Sequence, residues 1–539
     1  MTERRGSWWV VLFPLVLGLA LAAGFLAGAR YGAPRNIAPS LFSFQQARPS
    51  DKLDQVMALI DRNYVDSIQE EKLVDEVLQD MLQKLDPHSY YISVAELRAA
   101  QEPLEGSFMG IGVEFAIQRD TIVVITPVEG GPSAKLGIRA GDRIVSADAK
   151  PLAGVHIANE DVMKALRGPE GSKVVVGILR GRDKPFDVEI ERGEIPINSV
   201  AAALLDKDGT GYIKLSRFAR TTEEEFIKAS EGLLAQGMKR MVLDLRGNGG
   251  GYLNAAIGIC DQFLPAGSQI LYTQGRVSPR KDFIAGAGGL LVDMPLAVLI
   301  DEGSASASEI VSGAIQDNDR GLIVGRRSFG KGLVQEHVEL EDHSAVRITT
   351  ARYYTPSGRS IQRPYGQGVD YDEDMSSRFD HGEQFSADSI HLDSTKKFTT
   401  LKGRTVFGGG GIMPDLFVPA DTSDRSAYLS ELFFSGAINQ YAFDVADRQR
   451  ERLKSYRGPE AFAERYTLDP AQMQGLAKEA ASLGVKEDAR GMARSERLIA
   501  ERLKAGIARN IWGEAGYYRV VIGTDSLYLA ARRALGSVH

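Results

Sequence analysis

The spacing of apolar residues divides most of the chain into four patterned regions. Residues 51–105 place apolar side chains three and four positions apart, which is the repeat of an amphipathic helix. From residue 106 to residue 194 the repeat shortens to two and glycines interrupt it, so this region is predicted to be a small β-rich domain. Residues 195–423 alternate short apolar runs with glycine loops and helical stretches, which is the pattern of an α/β domain. Residues 424–539 return to a helical pattern.

The same patterns predict individual elements within these regions. In the β-rich domain the predicted strands are 112–117, 121–125, 143–147, 173–179 and 186–191. In the α/β region the predicted buried strands are 211–215, 241–245, 297–300 and 322–324. Residues 366–400 are polar and are expected to form a long surface insertion.

The N-terminal segment, residues 1–30, is predicted to direct export. Arginines precede residues 8–29, which carry no charge. A signal-peptide apolar region is usually about 7–15 residues long, whereas about 20 residues can span a bilayer. The length therefore favours an uncleaved anchor in the inner membrane over a cleaved signal peptide, although Ala27-Gly28-Ala29 would suit a signal peptidase. In both cases the remainder is expected in the periplasm or another extracytoplasmic space, after a proline-containing linker at residues 31–50.

Composition excludes several classes of protein. The 539 residues are 43% hydrophobic and 25% charged, which is typical of several globular domains. A net charge of -7 argues against nucleic acid as a partner, because a phosphate-binding surface needs an excess of Lys and Arg. The single cysteine, Cys260, allows neither an internal disulfide nor a paired-cysteine metal site. The histidines show no paired metal-binding spacing, so a zinc hydrolase has little support.

The first candidate for chemistry is the serine-rich turn at residues 304–309. The apolar run 296–300 predicts a strand that leads through this turn into a helix. Free backbone N–H groups and the helix dipole would favour a developing negative charge beside a serine at that helix N-terminus. The alternative is structural, because Ser306-x-x-Glu309 is also a capping box.

The second candidate is Lys331, in the loop 325–332. The loop nearly matches a phosphate-binding G-x-x-x-x-G-K-[ST] motif, but Gly332 supplies no hydroxyl and a strand pattern follows where a helix is required. A nucleotide site is therefore disfavoured. An enclosed lysine of lowered pKa can instead take a proton from a serine, although a lone lysine is more commonly a surface charge.

The third candidate is the glycine-rich loop 246–252, which follows the predicted strand 241–245. Its glycines permit unusual backbone angles and a close approach of another chain. The loop is a candidate for the second half of an oxyanion hole, and a plain β-to-α turn is an equal alternative.

Taken together, the motifs resemble those of the carboxyl-terminal processing proteases, the serine–lysine family that includes the tail-specific proteases. The resemblance extends over roughly residues 50 to 420. The matching motifs, in chain order, are Asp86-Pro87-His88-Ser89-Tyr90, Gly110-Ile111-Gly112-Val113, the loop 244–251, Gly303 to Ile310, Phe329-Gly330-Lys331-Gly332 with Gln335, and Gly411-Ile412-Met413-Pro414-Asp415.

The resemblance implies a fold and a catalytic set. The fold would be a mixed-sheet α/β protease core of the crotonase/ClpP-like type at 195–423, with an inserted PDZ domain at 106–194 and helical N- and C-terminal regions at 51–105 and 424–539. Ser306 would be the nucleophile, Lys331 the general base and Gln335 the residue that orients it, which requires a bend at Gly332. The implied set also includes Gly249, Gly250 and Ala307 as oxyanion donors and Asp317 as a supporting residue, for which a structural role is the alternative.

The resemblance also implies how substrate would be recognised. Met109, Gly110, Ile111 and Gly112 would offer backbone N–H groups to a terminal carboxylate. We hypothesise that Arg167 senses bound peptide and couples it to the active site.

The predicted function is therefore a serine endopeptidase that captures unstructured protein C-termini and needs no metal or nucleotide. Its helical terminal regions favour assembly as a homodimer, by analogy with the family. The rival interpretation is a catalytically inactive envelope scaffold that binds C-terminal peptides.

Overall fold

A computed structural model describes residues 9–31, 51–181, 183–366 and 368–536. Most of the predicted linker 31–50 and the first eight residues of the predicted targeting segment lie outside the described residues. The structure divides between Val74 and Asp75 into two compact units.

The first unit is helical where it is described. Its elements are α1 (Trp9–Tyr31), α2 (Asp51–Asn63) and the beginning of α3 (Glu70–Gln83). In α2 the apolar side chains of Leu53, Val56 and Leu59 are exposed. None of the helices in the described ranges combines the length and the hydropathy needed to cross a membrane.

The second unit opens with the rest of α3, β1 (Tyr90–Ile92) and α4 (Val94–Glu105). Helix α4 ends at Gly106, whose φ of +81° is a left-handed conformation that glycine adopts without strain. The chain can therefore turn sharply into the β-rich domain.

The β-rich domain closely follows the predicted pattern of period two. Its elements are β2 (Ser107–Gly110), β3 (Val113–Gln118), β4 (Thr121–Pro127), α5 (Pro132–Lys135), β5 (Arg143–Ala147), β6 (Lys150–Pro151), α6 (Asn159–Leu166), β7 (Lys173–Leu179), β8 (Phe186–Glu191) and β9 (Gly193–Pro196). The main sheet has the antiparallel order β3-β4-β5-β7-β8, which leaves β3 at an edge, and β2 pairs separately with β9. Ile122, Val124 and Ile178 are buried in the core of this domain, whereas Val123 and Ile125 are buried on the other face of β4.

The α/β region contains two further sheets. Its elements are β10 (Val200–Leu205), β11 (Thr210–Leu215), α7 (Thr222–Ala235), β12 (Arg240–Asp244), α8 (Leu253–Phe263), β13 (Gln269–Gln274), β14 (Lys281–Ile284), β15 (Leu296–Ile300), α9 (Ala307–Asp317), β16 (Leu322–Gly325), β17 (Leu333–Glu339), β18 (Ala345–Tyr354), α10 (Glu373–Asp380), β19 (Lys397–Thr399), β20 (Thr405–Phe407) and β21 (Leu416–Phe417). One sheet has the order β10-β11-β12-β15-β16-β21 and is parallel from β11 onward. The other is antiparallel, with the order β1-β18-β13-β14 and β17 paired to β18.

The parallel strands explain where polar loops meet. Strand β15 is buried along its whole length, as expected for a strand covered on both faces. The carboxyl ends of β12, β15 and β16 lie at one edge of the sheet because these strands are parallel neighbours. The glycine-rich loop, the serine turn and the lysine loop all leave from that edge.

The remaining elements are helices. They are α11 (Ala427–Phe434), α12 (Ala437–Arg448), α13 (Arg450–Lys454), α14 (Pro459–Arg465), α15 (Pro470–Ser482), α16 (Ala489–Val521), which is kinked at Trp512 and Gly513, and α17 (Ser526–Gly536). Phe443 of α12 packs with Val123 and Ile125 of β4, and Arg119 forms an ion pair with Asp444 at 2.6 Å. The helices thereby brace the outer face of the β-rich domain.

A single buried carboxylate connects the serine turn to the lysine loop. Glu309, in the first turn of α9, is fully buried and accepts the Ser306 N–H at 2.8 Å. It also accepts the Lys331 N–H at 2.9 Å and the Gly330 N–H at 2.7 Å, and the Ser328 hydroxyl donates to it at 2.5 Å. Burial raises the pKa of Glu309 from its ordinary value of 4.5 to about 7, against the opposing effect of these four donors.

The raised pKa of Glu309 predicts how stability depends on pH. Between pH 4.5 and pH 7 the folded chain holds a proton on Glu309 that the unfolded chain has lost, so the free energy of unfolding falls as pH rises through this window. The loss is about 3 kcal/mol in total. As pH rises from 4.5 to 7, wild type should therefore lose about 3 kcal/mol of its free energy of unfolding relative to Glu309→Gln. Urea denaturation at several pH values measures this difference.

Glu224→Gln is the matched control, since it makes the same chemical change at an exposed position of α7. A difference between wild type and Glu309→Gln that stays constant or grows with pH would show that the four donors outweigh burial.

Candidate active site

Ser306 occupies a strained turn between β15 and α9. Its φ of +54° and ψ of -111° are rare for a residue with a side chain, and such strain persists only where the surroundings enforce it. The neighbouring serines supply that restraint: Ser304 donates to the Leu245 carbonyl at 2.9 Å and Ser308 to the Asn248 carbonyl at 2.8 Å. Both are fully buried, whereas Ser306 is only partly buried. The middle serine alone is therefore presented to a ligand.

Lys331 lines the same cavity as Ser306, a space of about 460 Å³. Its Nζ donates to Gln335 Oε1 at 3.0 Å, and a bulge in β17 between Val334 and Gln335 accommodates this contact. Burial lowers the pKa of Lys331, and the nearby Arg347 lowers it further. The structure has no hydrogen bond between Lys331 Nζ and Ser306 Oγ, both of which are described. The Tyr353 hydroxyl lies within hydrogen-bond distance of two carbonyls, that of Lys331 at 2.7 Å and that of Ser306 at 3.1 Å.

Gln335 is held in turn by the Asp86-Pro87-His88-Ser89 motif. Its Nε2 donates to the His88 carbonyl. The Asp86 carboxylate accepts the backbone N–H groups of His88 at 2.8 Å and Ser89 at 2.9 Å, and it also accepts the Thr349 hydroxyl from β18. Burial is the main cause that lowers the pKa of His88 to about 4, so its imidazole is neutral at pH 7. Sequence analysis found this motif only as a resemblance and assigned it no role.

The glycine-rich loop lies against the serine turn. A side chain at Gly250 would meet the Ala305 carbonyl at 2.8 Å and the Ala307 nitrogen at 2.9 Å, so only glycine allows this close approach. The Gly250 N–H already donates to Asn248 Oδ1 at 2.9 Å. The N–H groups of Gly249 and Ala307 have no hydrogen-bond partner in the described part of the chain. Of the three predicted oxyanion donors, Gly249 and Ala307 are therefore available and Gly250 has a structural role.

Asp317 lies apart from these residues. It is the last residue of α9, about 16 Å along the helix from Ser306 at 1.5 Å per residue. Its buried carboxylate forms an ion pair with the buried Arg359 at 2.7 Å and accepts the Ser357 N–H at 3.1 Å. The structure gives Asp317 a role in anchoring the segment after β18, outside the cavity.

Half of the predicted peptide-binding loop lies in strand β2 and the other half follows it. Met109 and Gly110 belong to β2 and pair with β9. Ile111 and Gly112 follow β2, and neither of their N–H groups has a partner among the described residues. Gly112 has a φ of +74°, and a side chain there would meet Ile195 at 2.9 Å. Two free N–H groups thus stand at the start of the edge strand β3, where a terminal carboxylate would bind.

Arg167 lies beside this loop at the end of α6. Its guanidinium packs 4.3 Å from the centre of the Phe108 ring and donates to Glu102 of α4 at 2.5 Å. Three residues later in α4, Glu105 accepts the Tyr252 hydroxyl at 2.8 Å. Tyr252 and Leu104 both line the cavity that contains Ser306. Helix α4 therefore contacts Arg167, which lies beside the predicted peptide-binding loop, and it also contributes Leu104 to the cavity that contains Ser306.

Models of known protein families match most of the chain. The family described as Peptidase family S41 matches residues 209–375, a PDZ domain matches 109–191, the N-terminal domain of the activating protease CtpB matches 39–95, and a family of unknown function matches 428–513.

Individual relatives agree with these matches. A carboxy-terminal-processing protease of Bartonella bacilliformis is 35% identical over 407 residues, which is 74% of this chain and 90% of that protein. The carboxy-terminal processing protease CtpB of Bacillus subtilis is 33% identical over 59% of this chain and 67% of its own length. Among solved structures, a photosystem II D1 C-terminal processing protease is 28% identical, covers 69% of this chain and 94% of its own, and gives a TM-score of 0.35. The chain belongs to the carboxy-terminal processing proteases, serine-type peptidases of family S41 that carry a PDZ domain.

Proposed function

We propose that the chain is an exported endopeptidase that cleaves peptide bonds with a dyad of Ser306 and Lys331. The observation that carries this proposal is the shared cavity: a partly buried serine in a strained turn and a buried lysine of lowered pKa line one space. Gln335 fixes the lysine from one side, and unpaired N–H groups lie beside the serine. Metal ions and nucleotides have no part in the proposed reaction.

The proposed reaction uses each group once in acylation and again in deacylation. Lys331, as the neutral amine, takes the proton of Ser306 while Oγ attacks the scissile carbonyl. The N–H groups of Gly249 and Ala307 hold the oxyanion. The Lys331 ammonium then protonates the leaving amine, and the C–N bond breaks. Water attacks the resulting ester through the same base, and Ser306 recovers its proton.

The absence of a Ser306–Lys331 hydrogen bond suggests that the described arrangement is a resting state. Lys331 Nζ donates to Gln335 in this state, and it must also come within hydrogen-bond distance of Ser306 Oγ before the proton transfer. The backbone of both residues is already fixed by Glu309 and Tyr353.

Removal of either dyad side chain tests the proposal. Ser306→Ala loses the nucleophile and Lys331→Ala loses the base, so we expect each to lower kcat/KM at least about 1000-fold. The measurement is digestion of an unstructured peptide with a free C-terminus. Ser312→Ala is the matched control, because Ser312 is a buried serine of α9 that donates to the Ser308 carbonyl and does not line the cavity.

The pH profile distinguishes loss of a base from loss of structure. Since only neutral Lys331 accepts a proton, kcat/KM should rise with pH, with a midpoint below the ordinary lysine pKa of 10.5. Cleavage by both alanine variants at the wild-type rate would rule out the dyad. Peptide binding by a wild-type protein that cleaves nothing would favour the inactive scaffold.

We further propose that the PDZ domain captures the substrate C-terminus and reports its presence through Arg167. The edge strand β3 is free to pair with a peptide, and Ile111 and Gly112 offer N–H groups to its carboxylate. Arg167 is joined to Glu102, and α4 continues from there to Tyr252 at the cavity. A peptide that displaces Arg167 would therefore act on α4, one residue of which lines the active site.

Arg167→Ala tests this coupling. Stimulation of cleavage by an added peptide with a free C-terminus is expected in wild type and absent in the variant, while the basal rate stays measurable. The same peptide with a C-terminal amide should stimulate neither protein, because it lacks the carboxylate. Arg98→Ala is the matched control, since Arg98 also contacts Glu102 but lies on α4 itself, with its side chain 55% exposed. Unchanged stimulation in Arg167→Ala would remove Arg167 from the pathway.

The overall fold is proposed to be of the crotonase/ClpP-like type. The parallel strands β11, β12, β15 and β16, connected through α7, α8 and α9, support this assignment.

Export is proposed from the uncharged residues 8–29. A fusion of residues 1–50 to alkaline phosphatase, which is active only outside the cytoplasm, is expected to show phosphatase activity in intact cells. Deletion of 8–29 is the control and should abolish the activity. An inactive but expressed full fusion would contradict export.

A further inference from the structure

The segment that follows β18 packs on the loop that carries Lys331. Sequence analysis expected residues 366–400 to be a surface insertion, and the structure corrects this in part, because Arg378 of α10 is buried. Arg378 donates to the Ser328 carbonyl at 3.0 Å. Asp374 of the same helix forms an ion pair with Arg363 at 2.9 Å. The beginning of the segment is thus fixed beside the active site.

Tyr371, just before α10, reaches the His88 imidazole. Its hydroxyl lies 2.8 Å from His88 Nε2, and the two rings meet edge to face with their centres 5.3 Å apart. The other face of the Tyr371 ring stacks on the Arg363 guanidinium at 3.7 Å. The phenol is therefore held by its ring, and its hydroxyl is directed at His88, with the side chains of Arg363 and Gln362 also within its reach.

His88 connects this contact to Lys331. The imidazole binds Tyr371, the backbone N–H binds Asp86, and the carbonyl accepts Gln335 Nε2. Gln335 Oε1 in turn accepts Lys331 Nζ at 3.0 Å. The chain of contacts runs from Tyr371 through His88 and Gln335 to the amine of Lys331.

We propose that Tyr371 is a positioning residue for Lys331, acting through His88 and Gln335. The inference rests on the proposed Ser306–Lys331 dyad. Without the hydroxyl, the His88 ring loses its directed partner, and its carbonyl no longer holds Gln335 in one orientation. Gln335 then presents either its oxygen or its nitrogen to Lys331, and only the oxygen can accept the amine. Tyr371 touches neither the cavity's serine nor its lysine, so its effect is on the rate of the reaction and not on substrate binding.

The variant Tyr371→Phe tests this role. It keeps the ring that stacks on Arg363 and removes only the hydroxyl, so thermal unfolding should be nearly unchanged. We expect kcat to fall about fivefold to tenfold, the equivalent of one lost hydrogen bond, with KM within twofold of wild type. Tyr365→Phe is the matched control: it removes a hydroxyl that accepts Arg352 at 3.2 Å outside the cavity, and its kcat should equal that of wild type.

A double-mutant cycle separates positioning from general structural support. In a Gln335→Ala background the route from His88 to Lys331 is already broken, so Tyr371→Phe should lower kcat no further. Any of three results would overturn the proposal. Tyr371→Phe could lower kcat equally in the wild-type and Gln335→Ala backgrounds. The single variant could instead raise KM at constant kcat, or keep the kcat of wild type. A failure of the proposed dyad gives a different result, because Ser306→Ala would then keep its activity. The effect of Tyr371→Phe is judged separately, against Tyr365→Phe.

Discussion

The carboxylate of Glu309 fixes the main chains that carry Ser306 and Lys331, the two residues of the proposed dyad. Ser306 and Lys331 belong to separate loops of the parallel sheet, and this one group accepts the backbone N–H of both. Tyr353 contacts the carbonyl groups of the same two residues, since its hydroxyl lies within hydrogen-bond distance of the Ser306 and Lys331 carbonyls. The two main chains are thus fixed by shared partners, and only the side chains keep the freedom that chemistry requires.

The burial of Glu309 also explains how the strained turn persists. A positive φ at Ser306 is unfavourable by itself, and it must be enforced by contacts that a relaxed backbone would lose. The Ser306 N–H bond to Glu309 is one such contact, and the anchors of Ser304 and Ser308 are two others. Taking a carboxylate fully out of water is costly, but four donors compensate it in part. The strain and the buried carboxylate therefore depend on the same set of hydrogen bonds.

Sequence patterns predicted the elements better than the contacts among them. Period two in the β-rich domain and continuous apolar runs in the parallel sheet located the strands to within a few residues, because burial dictates both patterns. Sequence analysis treated helix capping and catalysis as alternatives for Ser306-x-x-Glu309. In the structure Glu309 accepts the Ser306 N–H, as a capping residue does, and with the same oxygen accepts the Lys331 N–H. The capping arrangement is therefore present, and it is compatible with the proposed catalytic role of Ser306.

The contacts that escaped prediction are those between distant segments. His88 and Tyr371 are separated by 283 positions, and no local pattern signals that a histidine after a helix will meet a tyrosine before another. The role of Gly250 escaped for a different reason: its N–H bonds to Asn248, a side chain two residues away, and composition alone does not reveal which N–H groups of a glycine-rich loop stay free. For Asp317 the resemblance left a structural role open, and the helical rise places it at the opposite end of α9 from Ser306.

Helix α4 contacts both the β-rich domain, through Arg167, and the cavity that contains Ser306, through Tyr252 and Leu104. Glu102 and Glu105 lie three residues apart, so they share a face of the helix, and they contact Arg167 and Tyr252 respectively. The helix ends at Gly106 and leads directly into β2, which carries the beginning of the peptide-binding loop. Under the proposed coupling, a displacement at Arg167 would reach the cavity wall along this 12-residue helix and would not have to pass through the parallel sheet that holds Ser306.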